Sequence, residues 1–246
     1  MTDAAVTAGT RRITVVHVLH TVAYGGVETI ILNWLRAIDP RRFDVHLVCF
    51  ANPDGGEAPF LAAAQRAGLV VRTVRWATRK PVIRAGRELA HILREVGADI
   101  VHTHNVYADL VGLLAARLVG AKVVCSLFVW GDFGWKRNLL QYVDAWALRH
   151  FDMITAQCEQ TRLDSVARGL PADRTRVVIS GFDTPPPLPT PDARQRRRHE
   201  LGIDDTHVVL ANVARLYPEK AQDLLLRAFV DLHARHPQAR LWIFGT

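Results

Sequence analysis

Short runs of β-branched and apolar residues alternate with longer amphipathic stretches from Ile13 onward, and nothing else in the 246 residues constrains the fold as strongly. The runs Ile13–Leu19, Phe43–Cys49, Leu69–Val74, Asp99–His102, Lys122–Leu127, Met153–Ala156 and Arg176–Ile179 read as strands. The stretches between them, Val27–Ile38, Glu57–Ala67, Val82–Val96, Tyr107–Val119, Lys136–Arg149 and Glu159–Arg168, read as helices. In Val82–Val96 the apolar residues recur at helical spacing, with Arg84, Arg87, Glu88 and Arg94 between them. Strands separated by a helix cannot pair as tight hairpins, so they lie parallel in one sheet with helices over both faces. Several of the strands are apolar almost throughout, as strands covered on both sides are.

The expected class is therefore α/β, a doubly wound parallel sheet of Rossmann-like type. Thr184–Pro191 (TPPPLPTP) holds five prolines in eight residues and reads as an extended connector. Beyond it a strand–helix–strand pattern restarts at His207–Val213, Glu219–Arg235 and Arg240–Phe244. We expect an N-terminal domain over 1–180, a proline- and arginine-rich linker over 181–200, and the first part of a second Rossmann-like domain over 201–246. One strand–helix–strand unit leaves a sheet face uncovered, so a chain truncated within that second domain is the expectation.

Composition narrows the class further. At 49% hydrophobic and 22% charged, the chain is too apolar to be disordered. The longest stretch without a formal charge, Ile13 to Val27, is shorter than a membrane span. The N-terminus lacks the order of a secretory signal, and the expected location is the cytoplasm. Cys49, Cys125 and Cys158 are far apart and show no metal-ligand spacing, so neither a disulfide framework nor a zinc site is expected. The net charge of +7, with only four lysines among 31 basic residues, fits an anionic partner such as a nucleotide or a phospholipid surface. Peripheral contact with an anionic membrane follows from the same excess. The dense run Arg194–His199 has no interleaved aromatics and reads as a solvated linker or helix face, so no nucleic acid is expected.

Four segments could carry chemistry. Gly25 and Gly26, between the first strand and helix, would let the backbone approach a ligand at a helix N-terminus, where an anion is favoured. An ordinary tight turn with Glu28 in the first helical turn is the competing reading. His102-Thr103-His104-Asn105 ends the fourth strand, and ligands of open α/β sheets bind at the carboxyl ends of strands. His102 reads as a half-buried structural histidine and His104, further into the loop, as the functional one. A metal pair lacks a third ligand nearby in sequence, so no metal is expected. Arg215 and Lys220 would converge on an anion at the start of the later helix, and surface cations are the alternative. Trp130–Trp135, rich in glycine and aromatics, would line a pocket or cap the core.

Taken in order, three segments resemble the retaining nucleotide-sugar glycosyltransferases of the two-Rossmann-domain (GT-B) architecture, family 4. They are HVLHTVAYGGVETIILNWLRAI, ADIVHTHNVYADLVGLLAARLVGAKVV and VARLYPEKAQDLLLRAFVDLHARHPQARLWIFG, and together they extend over residues 13 to 245. The resemblance implies an acceptor-binding first domain, and a second domain that holds a nucleoside-diphosphate sugar. It implies that Arg215 and Lys220 grip the donor diphosphate and that Gly25 and Gly26 form the loop facing it. His104 joins Arg215 and Lys220 as a candidate catalytic group. Transfer with retention to a polysaccharide or glycolipid acceptor, without a cofactor or required metal, is the implied reaction. Three departures stand out. The paired glutamates of the family's donor site lie beyond Thr246, Phe128 occupies a position where the family commonly has histidine, and Ser180-Gly181-Phe182-Asp183 replaces its N-G-V-D. A non-catalytic module binding lipid or glycan, or a decayed transferase, is the alternative.

Overall fold

A computed structural model describes residues 11–77, 81–128, 135–181 and 187–245. The chain divides into two compact units, Met1–Asp183 and Thr184–Thr246. In the first unit, β1 (Ile13–Leu19), β2 (Phe43–Ala51), β3 (Val70–Arg75), β4 (Ile100–Thr103), β5 (Lys122–Leu127), β6 (Met153–Ala156) and β7 (Thr175–Val177) form one sheet in the order β3-β2-β1-β4-β5-β6-β7. Every pairing is parallel. The connecting helices are α1 (Gly26–Ala37), α2 (Ala58–Arg66), α3 (Val82–Val96), α4 (Val106–Val119), α5 (Trp135–Leu148) and α6 (Glu159–Ala167). This is the expected doubly wound sheet, and the direction of winding reverses between β1 and β4.

Residues of β1 from Thr14 to Leu19 are buried, which explains its lack of charge. Val16 and Val18 join Val48, Phe50 and the apolar faces of α3 and α4 in one core, while Leu19, Leu47 and Cys49 pack with α1 and α2 in another. Burial pushes the thiols of Cys49 and Cys125 well up, so both are inert as expected. Two glycines bring the helices close. A Cβ on Gly86 of α3 would lie 2.6 Å from Leu114 Cδ2, and one on Gly112 of α4 would lie 2.4 Å from Thr103 Cγ2. Neither site has room for a methyl group without displacing its neighbour.

Beneath α4 lies a buried carboxyl pair. Asp109 accepts a hydrogen bond from the Thr103 hydroxyl and faces Asp144 of α5. Burial pushes both carboxyls up, Asp144 to about 7, and the second carboxyl adds to the rise at Asp109. Two adjacent buried carboxylates cannot both ionise cheaply, which is the physical cause of the rise.

In the second unit, β8 (Val208–Val213) pairs parallel with β9 (Ala239–Phe244), and α8 (Gln222–Arg235) connects them. The helix expected from Glu219 is split. Pro218–Lys220 forms a 3₁₀ turn, and Ala221 follows with φ 51°, a left-handed conformation unfavourable for a residue with a side chain. Part of the expected linker is also helical: α7 spans Pro191–Glu200. Thr190 caps it by accepting from the Ala193 N–H, with Pro191 in the first turn and basic residues in the last. None of its residues is buried, so there was no apolar periodicity to reveal it. Arg198 donates to the His207 carbonyl at 2.7 Å, so one arginine of the basic run is spent on holding the unit together.

Replacing Asp144 by Asn tests the carboxyl pair. A carboxyl with a raised folded-state pKa contributes its stability at low pH and loses it as pH rises through that value. The wild type should therefore lose stability between pH 5 and 8 by up to about 1.4 kcal/mol per pH unit per titrating group. In chemical denaturation the Asp144→Asn variant should show a flatter profile over that range and gain on the wild type toward pH 8.

Candidate functional site

The reversal of winding between β1 and β4 opens a crevice at their carboxyl ends, where open α/β sheets bind ligands. Two loops border it, residues 20–25 after β1 and His104-Asn105 after β4. Neither loop depends on a left-handed glycine, since Gly25 has φ −146° and Gly26 is helical with no positive φ. Gly25 is constrained instead by its neighbour: a Cβ there would lie 3.3 Å from Glu28 Oε2. Around Gly26 a Cβ would meet nothing within 4 Å, which leaves open space over the first turn of α1.

Glu28 holds this loop. Buried in the first turn of α1, it accepts from the Thr21 hydroxyl at 2.5 Å and from the Gly25 N–H at 3.0 Å. The second bond is the returning half of a capping arrangement, satisfying one of the free N–H groups of the helix start. Asn52, after β2, donates to the Thr21 carbonyl at 2.7 Å and to Glu57 at 3.1 Å. Asn105, the cap of α4, donates to the His20 carbonyl at 2.7 Å and accepts from the Ala108 N–H. Side chains from α1 and from the loops after β2 and β4 thus fix the loop that carries the glycines.

Of the two histidines, His102 sits as expected and His104 does not. His102 is half-buried and its Nε2 meets Ser126 Oγ at 2.8 Å. His104 is not in an open loop: it is only 2% exposed, because β4 ends at Thr103 and the Asn105 cap turns the chain beneath the loop. Its ring stacks on His17 of β1, and His17 Nδ1 lies 2.9 Å from His104 Nε2. His17 pairs in register with His102, so parallel pairing brings together imidazoles from β1, from β4 and from the residue just after β4. Burial pushes all three pKa values down, His102 to about 4, and the rings repel one another's charge. They are neutral near pH 7. Trp34 of α1 stacks near His102 at 6.3 Å and near Phe128 at 6.5 Å between ring centroids, covering the cluster. His17 and Trp34 were not singled out in the sequence. The available signal for His17 was a histidine in an otherwise apolar inner strand.

Arg215 and Lys220 both stand exposed on the connection between β8 and α8. The Arg215 guanidinium lies over the Tyr217 ring at 4.7 Å, and its carbonyl accepts from Gln222 at 2.9 Å. Lys220 ends the 3₁₀ turn just before the left-handed Ala221. The aromatic segment Trp130–Gly134 lies outside the described residues, and Trp135, which begins α5, is exposed.

A family model described as a glycosyl transferase 4-like domain matches residues 25–181. Among curated proteins, the chain is 34% identical over 140 residues to a GDP-mannose-dependent alpha-(1-6)-phosphatidylinositol monomannoside mannosyltransferase of Mycolicibacterium smegmatis, covering 55% of this chain and 35% of that one. It is 25% identical over 244 residues to the GDP-mannose-dependent monoacylated alpha-(1-6)-phosphatidylinositol monomannoside mannosyltransferase of Corynebacterium glutamicum, covering 90% of this chain and 58% of that one. Among solved structures, Anabaena Alr3699/HepE in complex with UDP and glucose superposes with a TM-score of 0.73 at 18% identity, covering 94% of this chain and 61% of that one. The chain thus spans between about a third and three fifths of the length of these relatives.

Removing the Glu28 carboxylate should unfasten the loop. Glu28→Ala leaves the Gly25 N–H without its acceptor and the Thr21 hydroxyl with the Ala23 carbonyl alone, at a cost of about 1–3 kcal/mol. Denaturant melts should show that loss, and hydrogen exchange should locate the lost protection at the start of α1.

Proposed function

The chain belongs to the glycosyl transferase 4-like family, and from that membership we propose that it takes part in moving a sugar from a nucleoside-diphosphate sugar to a glycolipid or polysaccharide acceptor, with retention of configuration. The observation that carries this reading is the open space over Gly26 at the crevice between β1 and β4, held by Glu28, Asn52 and Asn105. An acceptor hydroxyl or a donor phosphate can approach the backbone there, at the positive end of α1.

Arg215 and Lys220 bind the donor diphosphate in this proposal. As the glycosidic bond breaks, negative charge grows on the leaving diphosphate, and fixed cations stabilise that state more than the ground state. Because these two cations neutralise the leaving group, transfer runs without a metal. The neutral imidazoles suit an acceptor. Half-buried His102 is the member placed to touch a hydroxyl, and buried His104 acts as a positioning residue through the His17 stack.

In this proposal the acceptor is lipid-linked, and the exposed apolar face of α5 supports contact with a lipid surface. Trp135, Leu139, Tyr142, Val143 and Trp146 are exposed at 74, 59, 70, 43 and 60%, and their spacing of four, three, one and three residues lines them along one helix face. Aromatic and leucine side chains on such a face, on a protein of charge +7, match an anionic membrane interface. No helix among the described residues is long and apolar enough to cross a membrane.

The reaction is tested by offering the native gene product GDP-mannose or UDP-hexoses with inositol-phospholipid and polyprenyl-linked acceptors. Lys220→Ala should lower turnover by roughly 10²–10³-fold while leaving the melting temperature unchanged. Full activity in that variant would remove Lys220 from the mechanism, and no transfer from any donor would favour a non-catalytic binding role. Sedimentation with vesicles containing phosphatidylserine or phosphatidylinositol should carry the protein down. Substituting Ser for both Trp135 and Trp146 should reduce the bound fraction several-fold, and neutral vesicles should hold less.

A further inference from the structure

We propose that His17, His102 and His104 form a binding site for one divalent transition-metal ion of the zinc class. One ring nitrogen from each of the three lies within 4.8 Å of the others. Four-coordinate zinc with bonds of about 2.0–2.1 Å sets its nitrogen ligands roughly 3.3 Å apart. The pair at 2.9 Å, His17 Nδ1 and His104 Nε2, must part slightly, and His102 must close by up to about 1.5 Å for that geometry. Both are side-chain adjustments on two strands already locked in register.

The hydrogen bonds around the cluster do not balance. Each neutral imidazole brings one N–H and one lone pair. The bond between His17 and His104 uses one of each, and Nε2 of His102 is engaged by Ser126. Nδ1 of His104, which is not the nitrogen that faces His17, remains fully buried with no hydrogen-bond partner. At the facing pair, His17 Nδ1 and His104 Nε2, an ion replaces one shared hydrogen with two metal–nitrogen bonds.

The donor set selects the ion. Three imidazoles suit zinc, nickel or copper(II), whereas magnesium and calcium prefer oxygen ligands that are lacking among these three side chains. Ser126, whose hydroxyl also meets Thr155 Oγ1 at 2.9 Å, fixes the His102 ring in the manner of groups that orient metal-bound histidines. The site stands on unit one alone and does not depend on the transferase reading.

The test uses the whole protein, stripped with chelator and dialysed against Zn²⁺ or Co²⁺ alone. One ion per chain should be retained, with the visible absorption of four-coordinate Co²⁺. At about 100-fold excess over Kd, the ion should raise the melting temperature by roughly 5–10 °C. His102→Gln and His17→Asn should each weaken binding by at least tenfold, and His91→Gln and Cys158→Ser, at exposed positions, should leave it unchanged. His102 is half-buried, so its variant remains informative if His104→Ala does not fold. No saturable binding at micromolar ion would overturn the proposal. So would unchanged affinity in both histidine variants, or loss of binding in Cys158→Ser.

Discussion

Strand β1 pairs with β2 on one side and β4 on the other, in register over its length, and the rest of the first unit depends on that double pairing. It sets His17 beside His102 and brings the loops after β1 and β4 to the same edge. It also leaves a crevice that no further strand can close, because the chain winds outward in both directions from this point. Backbone hydrogen bonds fix the strands, but the loops need side chains of their own. Glu28, Asn52 and Asn105 supply them, one each from α1, the loop after β2 and the loop after β4.

The alternation of strands and helices was legible because each inner strand must be apolar on both faces, and that demand writes an unbroken run into the sequence. β1 through β6 and the helices between them appear within a few residues of where that pattern puts them. Pairing was not legible at the level of side chains. His17 and His102 are 85 positions apart, and only the β1–β4 register makes them neighbours. Asp109 and Asp144 were hidden for the same reason: each is an ordinary helical acid until α4 and α5 pack over Thr103. α7 was missed because a fully solvated helix leaves no apolar stripe, and its cap and terminal charges are short-range signals.

The candidate loops divide in the same way. Gly25-Gly26 stood out by composition, yet the physical reason for glycine differs between the two. At Gly25 it is the close approach of Glu28, and at Gly26 it is open space. Glu28 itself read as a favourable charge in the first helical turn. Burial turns it into the group that holds the loop, since an unpaired carboxylate could not remain there without the Thr21 hydroxyl and the Gly25 N–H.

Charge is distributed unevenly between the functional elements of the two units. The crevice of the first is lined by rings that burial keeps neutral, whereas the β8–α8 connection of the second presents exposed Arg215 and Lys220. A neutral imidazole can exchange a hydrogen bond with a hydroxyl, whereas an exposed guanidinium or ammonium favours an anion. Had the histidines been solvated, they would titrate near neutrality. Burial of His17 and His104, the latter against Trp34, avoids this: the mutual His17–His104 hydrogen bond offsets part of the cost of burial, and His102 is the more exposed of the three.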